Sequence, residues 1–309
     1  MSGDVMQYPR VSIVTPIFNG IEHTINYLES LRKTTYPNYE IIIVDDGSTD
    51  DSAGIITEKF SEVRILQGDG NLWWSGGTNM GIRDALARGT DFILTMNNDV
   101  QVAPDFLDAL VSAARENPGA IIGGKIYFMN DPERIWSAGG RVNWLNGKTF
   151  VLIGHGQMDR EEFCHRVKVD VLTGMSVLIP AAVFGRIGFY DANKFPQYHA
   201  DAEFTLRARK AAIPIIFEPS AKVWNRVEST YMQRFLGSRK YNFKSIWELL
   251  TSFKSPMKLS CYWMLHWRYC PLLLIPSAFF LRLVRVFVFL LKIQLAVWRG
   301  GKELEKIGV

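Results

Sequence analysis

Cysteine is scarce in this chain. Cys164, Cys261 and Cys270 are the three in 309 residues, odd in number and with no CxxC pair. That argues against a disulfide framework and against a structural zinc site. The amino terminus, MSGDVMQYPR, lacks the apolar core of a secretory signal, so the expected location is the cytoplasm. A glycine fingerprint is also missing. The first apolar run ends in Pro16-Ile-Phe-Asn-Gly20, where a nucleotide-sugar epimerase or dehydrogenase needs GxGxxG and a sugar nucleotidyltransferase a Gly/Arg/Lys-rich loop. No repeat or low-complexity tract interrupts the chain. Charged residues make up 21% and apolar residues 48%, which argues against disorder. The net charge of +4 is modest, and no nucleic-acid partner is expected. The length suffices for one large α/β domain with an appendage.

What is present is an alternation of short β-branched runs with helical stretches. Strands are predicted at 11–16, 41–44, 63–67, 92–96 and 120–128. Helices are predicted at 22–33, from Asp50 with Ser48 or Thr49 as N-cap, after the loop 68–79 as far as Arg88, and at 104–116 with Pro104 in the first turn. Four β-α units in about 120 residues imply an α/β fold with a doubly wound, mostly parallel sheet. Residues 130–168 lose this pattern and are expected to form an active-site surface or a small antiparallel hairpin. Order resumes at 169–179, split by Thr173-Gly174, then a helix at 201–211 and a strand at 214–218.

Three acidic clusters carry the chemistry. The strand at 41–44 runs straight into Asp45-Asp46-Gly-Ser-Thr. In an open parallel sheet ligands bind beyond the carboxyl ends of the strands, so both carboxylates are expected to face a ligand. Acceptor-only groups suit nucleobase N–H or sugar hydroxyls. The next such strand ends in Asn97-Asn98-Asp99, where oxygen ligands suit Mg²⁺ or Mn²⁺; a plain Asn/Asp turn is the alternative. Between them, residues 70–79 combine Gly70, Gly76 and Gly77 with Trp73 and Trp74, which suits close approach of a sugar diphosphate or ordinary helix-start packing. The third cluster is Tyr198-His-Ala-Asp-Ala-Glu203. Asp201 near a helix N-terminus could act as a general base, or serve as an N-cap with Glu203 pairing to Arg207. His199 remains ambiguous.

The ordered set VSIVTPIFNG, VDDGSTDDS, GNLWWSGGTNMGI, LTMNNDV, LTGMSVLI and HADAEFTLRARKA resembles family 2 inverting glycosyltransferases of the GT-A fold, especially the bacterial rhamnosyltransferase-like branch. The resemblance covers residues 10–225. It implies a nucleotide-diphosphate sugar donor (dTDP- or UDP-linked), Mg²⁺ or Mn²⁺, and a glycan or polyprenol-linked acceptor in cell-surface polysaccharide assembly. By the same resemblance Pro16, Asn19, Asp45, Asp46, Gly76, Asn79 and Asn98 belong to the donor site, Asp99 holds the metal, and Asp201 is the base. Trp73, Trp74, Gly174, His199 and Glu203 fall to acceptor binding or support. Three positions depart from the family pattern: Asn97 replaces the first acid of DxD, Ala200 replaces the Glu before the base, and the segment Lys222-Val-Trp-Asn-Arg226 lacks the late His often found after the last core strand. A catalytically weak, glycan-binding scaffold at the membrane is the rival reading.

From Tyr231 the composition turns aromatic and basic. In 277–299, Arg282, Arg285, Lys292 and Arg299 share one helical stripe against Leu, Val, Phe, Ile and Trp. That pattern suits a helix lying in the plane of a membrane, or one packed on the catalytic domain or in a homodimer interface. The expected organisation is a GT-A domain at 1–228, with a nucleotide-sugar half at about 8–128 and an acceptor half at about 129–228. A helical, membrane-associating appendage follows at 229–309, peripheral on the inner face of the cell membrane.

Overall fold

The computed structural model describes residues 8–226, 235–236 and 241–298. Arg299 and the expected domain boundary at 228 lie outside them. The chain runs β1 (Val11–Ile17), α1 (Ile21–Leu31), β2 (Tyr39–Asp45), α2 (Ser52–Lys59), β3 (Val63–Gln67), α3 (Trp73–Ala87), β4 (Phe92–Thr95), β5 (Val100–Val102) and α4 (Phe106–Glu116). It continues through β6 (Ile121–Phe128), β7 (Asp131–Ser137), β8 (Gly140–Asn143), β9 (Thr149–Leu152), β10 (Val167–Lys168) and β11 (Val177–Pro180). Helices α5 (Ala181–Ile187) and α6 (Ala200–Lys210) and strand β12 (Ile215–Asn225) follow, then α7 (Phe243–Thr251), α8 (Leu259–Tyr269) and α9 (Ile275–Trp298).

The central sheet has the order β10-β12-β6-β11-β4-β1-β2-β3. Strands β4, β1, β2 and β3 are parallel, and so are β6 and β12. The expected doubly wound sheet is therefore mostly parallel, with one insertion. β11 lies antiparallel between β4 and β6, separating strands that an uninterrupted β-α series would leave adjacent. Residues 129–176 make the excursion that permits this; they include the antiparallel pair β8–β9, the hairpin expected in that region.

Strand alternation sends side chains to two cores. Val11, Ile13, Ile41 and Ile43 pack with Tyr27, Leu28 and Leu31 of α1 and Phe106, Leu107 and Leu110 of α4. Val14, Ile42 and Val44 face the other way, toward Ile82 and Ala85 of α3 and Phe204 and Leu206 of α6. Helix α3 comes close because it offers no side chain there. A Cβ on Gly77 would sit 2.8 Å from Pro16 Cβ, and one on Gly81 2.5 Å from Val14 Cγ1.

The chain proceeds from β1 outward through β2 and β3, then returns to the other side of β1 as β4. This reversal is a topological switch point, and the crevice opens at the carboxyl ends of β1, β2 and β4. Pro16–Asn19, Asp45–Asp46 and Asn97–Asp99 stand at those ends.

Candidate active site

Asp46 is spent on the protein itself. Its Oδ1 accepts the N–H groups of Gly70 (2.9 Å) and Leu72 (3.2 Å), and its Oδ2 that of Trp73 (2.8 Å). The carboxylate thus caps the start of α3, where Leu72 offers no capping side chain. Trp74 N–H goes to Gln197 Oε1 and Ser75 N–H to the Pro196 carbonyl. The helix N-terminus is therefore filled and makes no phosphate cradle. Asp45 differs. Its Oδ1 takes the Ser48 N–H at 2.9 Å, and among the described residues no other hydrogen bond reaches its carboxylate.

Asn19 joins the two neighbouring loops. Its Oδ1 accepts the Thr49 N–H at 2.7 Å, and its own N–H donates to Ser48 Oγ at 2.8 Å. Ser48 and Thr49 therefore do not cap α2 as expected. Asp51 is the residue before α2, without a side-chain cap bond. Gly76 and Asn79, expected in a donor loop, lie inside α3, because the helix starts at Trp73. Asn79 is buried and pairs reciprocally with the Tyr190 backbone, at 2.9 and 3.0 Å. It anchors the segment before α6.

The base candidate is connected to the metal candidate by a short chain of contacts. Asp201 Oδ2 accepts the Gly174 N–H at 2.9 Å. Gly174 lies against Trp74, where a Cβ would come within 2.6 Å of Cζ2. The Trp74 indole donates to Asn97 Oδ1 at 2.9 Å, two residues before Asp99. Asn98 turns away and donates to Thr24 Oγ1 at 2.9 Å. Asp99 lines a cavity of about 10 Å³ with His23, Asn26, Gln101 and Arg226, and its carbonyl accepts the Arg226 N–H at 3.1 Å. Asp46 and Asp201 thus both connect to residues 70–74, directly and through Gly174, whereas Asp99 lies two residues beyond the Trp74 partner Asn97, in the cavity shared with His23 and Arg226.

Burial pushes the Asp201 carboxyl up, against the pull of the Gly174 and Ala202 N–H bonds. A base must be ionised to accept a proton. The acid limb of the kcat/KM profile is therefore expected above the ordinary carboxylate range, and a limb at or below about 4 would count against Asp201.

His199 and Glu203 turn out to be fasteners. The His199 ring packs between Phe150 and Tyr262, and Nε2 lies 2.7 Å from the Pro256 carbonyl. Burial lowers its pKa to about 4. The unfolded chain then binds a proton below about 6.5 that the folded state refuses until about 4. Stability should therefore fall as pH drops through that window. In His199→Phe, urea titrations should show that slope reduced by close to one proton. An unchanged slope would mean His199 titrates normally.

Glu203 is 1% exposed. Its Oε1 accepts from Tyr269 (2.6 Å) and Arg268 (3.1 Å), and its Oε2 from Arg207 (2.8 Å). The i,i+4 pairing to Arg207 was legible in the sequence; the clamp on α8 was not. Glu203→Ala is expected to cost about 2–3 kcal/mol in urea unfolding, less than a fully buried pair because both arginines keep some solvent. A loss under about 0.5 kcal/mol would mean the clamp is idle. Trp73 is likewise engaged, edge-on to Phe253 at 4.7 Å, with Lys254 over its ring.

Asp99 is the one carboxylate lining its cavity, beside the His23 imidazole and Arg226. Among the described residues no cluster of three His, Cys, Asp or Glu could hold a metal. One carboxylate fits Mg²⁺ or Mn²⁺ when substrate phosphates and water complete the shell, and fits a dedicated all-protein cage poorly.

Comparison with known proteins gives the family and the type of fold. The model of glycosyl transferase family 2 matches residues 12–169, just over half of the chain. Glycosyltransferase GlyG of Streptococcus pneumoniae is 27% identical over 211 residues, covering 65% of this chain and 66% of that protein. The N-acetylglucosaminyl-diphospho-decaprenol L-rhamnosyltransferase of Mycobacterium tuberculosis is 25% identical over 229 residues, covering 68% and 74%. Of another relative, an uncharacterized Sinorhizobium fredii protein, the chain spans 24% of the length at 26% identity. Among solved structures, GalNAc-T7 with UDP, GalNAc and Mn²⁺ superposes with a TM-score of 0.58 at 14% identity, over 71% of this chain and 43% of that one. These likenesses establish the GT-A type of fold, and the chain belongs to glycosyl transferase family 2.

Proposed function

We propose that the protein is an inverting glycosyltransferase, moving a sugar from a UDP- or dTDP-linked donor to a hydroxyl of a glycan or polyprenol-linked acceptor. The observation that carries this reading is the contact chain from Asp201 through Gly174, Trp74 and Asn97 to the strand end bearing Asp99. It supports a base and a diphosphate site on opposite walls of one crevice. The acceptor oxygen attacks the anomeric carbon, the bond from that carbon to the diphosphate oxygen breaks, and the electron pair leaves with the nucleoside diphosphate. Asp201 takes the hydroxyl proton, and a single displacement inverts the configuration.

Asp45, with Pro16 and Asn19 beside it, is the group left to meet the base or ribose. Asp99 would hold Mg²⁺ or Mn²⁺, which supplies neutralisation of the leaving diphosphate. A panel of UDP- and dTDP-sugars screened by thermal shift tests the reading, since a bound donor raises Tm by mass action. Stabilisation by none of them would favour the scaffold reading.

The appendage supports a peripheral position on the inner membrane face. Residues 272–296 are long and apolar enough to cross a membrane, yet one side of α9 packs on the protein. Val286, Ile293 and Ala296 meet Leu249 and Met257, while Phe280, Val284, Phe287, Leu291 and Leu295 are exposed. Trp247, Trp263 and Trp267 extend the apolar surface from α7 and α8. A patch of this extent marks an interaction surface, and an in-plane helix with its apolar side in lipid suits it. A homodimer contact is the competing use. Truncating the appendage is a poor test, because α8 holds Glu203 and the Pro256 carbonyl holds His199. The triple variant Phe280→Ser/Phe287→Ser/Leu291→Ser spares those contacts. It is expected to lose most co-sedimentation with phosphatidylglycerol vesicles at unchanged Tm. Undiminished sedimentation would contradict the membrane role, and a shift from dimer to monomer would favour the homodimer.

A further inference from the structure

One member of the expected basic stripe on α9 is turned toward the protein. Arg282 lies on the side of the helix that carries the buried Ala278 and Val286. Its guanidinium stacks on Tyr262 of α8, with Cζ 3.5 Å from the ring centroid. Nε is enclosed and has no hydrogen-bond partner. Among the described residues no carboxylate pairs with it. The charged and titratable groups that face it are Tyr262, Arg285, His199 and His266. Both histidines sit within hydrogen-bonding distance of a backbone carbonyl and are pushed by burial below the ordinary imidazole value, so neither offers a charge at neutral pH. Tyr262 is uncharged as well, its hydroxyl pushed up by burial. Arg285, which donates to the Asn146 carbonyl at 3.2 Å, adds a second positive charge. A half-buried cation with no anion nearby costs folding stability, and a bound anion would recover it.

The position of this cation suggests which anion. The Tyr262 ring touches His199 at 4.8 Å between centroids, and His199 opens the helix that carries Asp201. The tip of the β8–β9 hairpin closes over the same stretch of α9, where a Cβ on Gly147 would lie 2.6 Å from the Leu281 carbonyl. Arg282 therefore stands between the helix bearing the base and the exposed apolar side of α9. A ligand held there would have a sugar on one side and a hydrocarbon on the other.

We propose that Arg282, stacked on Tyr262 and seconded by Arg285, binds the diphosphate of a prenyl-diphosphate-linked acceptor, setting its sugar toward Asp201. The site rests on the sugar-transfer reading above and deepens it. Arginine suits the role because its planar fork donates in parallel to phosphate oxygens while its face stays on the aromatic ring.

The test is an equilibrium titration of the full chain with geranyl diphosphate, with UDP and dTDP present to fill the donor site. Geraniol, inorganic pyrophosphate and phosphatidylglycerol vesicles serve as comparison probes. Wild type is expected to bind geranyl diphosphate at least ten times more tightly than geraniol or pyrophosphate. Arg282→Gln should lose at least tenfold of that affinity with Tm held or raised, Arg282→Lys should recover part of it, and neither should alter vesicle binding. Equal binding by Arg282→Gln would overturn the site, as would full displacement of geranyl diphosphate by the nucleotides. An equal loss on phosphatidylglycerol vesicles would make Arg282 a general headgroup contact and overturn it too. Should Arg282→Gln unfold, the Arg285→Gln variant decides: a loss of threefold or more keeps the site, and none removes it. Thermal shift with nucleotide sugars is independent of all these arms, so failure here leaves the sugar-transfer reading standing.

Discussion

Replacing Asp201 with Asn is expected to lower kcat by about 10²–10⁴-fold, the usual contribution of a positioned general base, while nucleoside-diphosphate affinity changes by less than about twofold. The substitution is nearly isosteric, and its Oδ1 can still accept the Gly174 N–H. The chain of contacts through Trp74 should therefore survive, while the capacity to take a proton is lost together with the Ala202 N–H bond that the other oxygen accepts. The pH profile provides a second readout. If the raised pKa of Asp201 sets the acid limb, that limb should vanish in the variant's residual activity. A variant with full activity would remove Asp201 as the base. One that loses nucleotide binding in parallel would make it a structural residue.

The second large effect concerns Asp46. Asp46→Ala strands three N–H groups at the start of α3 and should destabilise the fold by about 3–5 kcal/mol. Each charge-assisted bond contributes about 1.5–3 kcal/mol, and the three are not additive. Asp46→Asn should fall between, because an amide can serve only some of the three donors. Urea unfolding checks both. The alternative inherited from the sequence is that Asp46 contacts the nucleotide. In that case Asp46→Asn would keep wild-type stability and lose nucleotide affinity instead. Asp45→Asn should show that second pattern, since its Oδ1 bond to Ser48 N–H can persist while the other oxygen becomes a donor.

What could be read in the sequence followed from short-range chemistry. The runs at 41–44 and 63–67 are β-branched and bounded by turn residues, so the strands were legible within a residue or two. The carboxyl-edge position of Asp45, Asn97 and Asp99 follows from where the runs at 41–44 and 92–96 stop. Long-range partners were not legible. Nothing in VDDGSTDDS indicates that Asp46 caps a helix starting 27 residues later. Because that cap comes from outside the local sequence, the start of α3 carries no signal, and the sequence reads as a loop through Gly76 and Asn79. The four residues of β11 fit a buried strand of either direction, so its antiparallel insertion could not be inferred. Periodicity places Arg282, Arg285 and Lys292 on one stripe of α9, but it cannot say that Arg282 meets Tyr262 rather than water.

The same limit explains His199 and Glu203. Both lie close to the base in sequence, which made them candidates for acceptor binding. Their partners, Pro256, Arg268 and Tyr269, come from the appendage. The helix bearing the base is thus braced by the segment whose far side is exposed and apolar. Changes at the apolar surface could therefore reach α6 through α8, and activity of the triple serine variant should be measured with soluble acceptor as well as vesicles.

The most direct measurement of the central claim is release of nucleoside diphosphate from UDP- and dTDP-sugars by wild type and by Asp201→Asn, with NMR assignment of the anomeric configuration of any product. The expected result is release by wild type from at least one donor, an inverted anomeric centre, and loss of turnover without loss of donor binding in the variant. A retained configuration, or equal turnover by the two proteins, would contradict it.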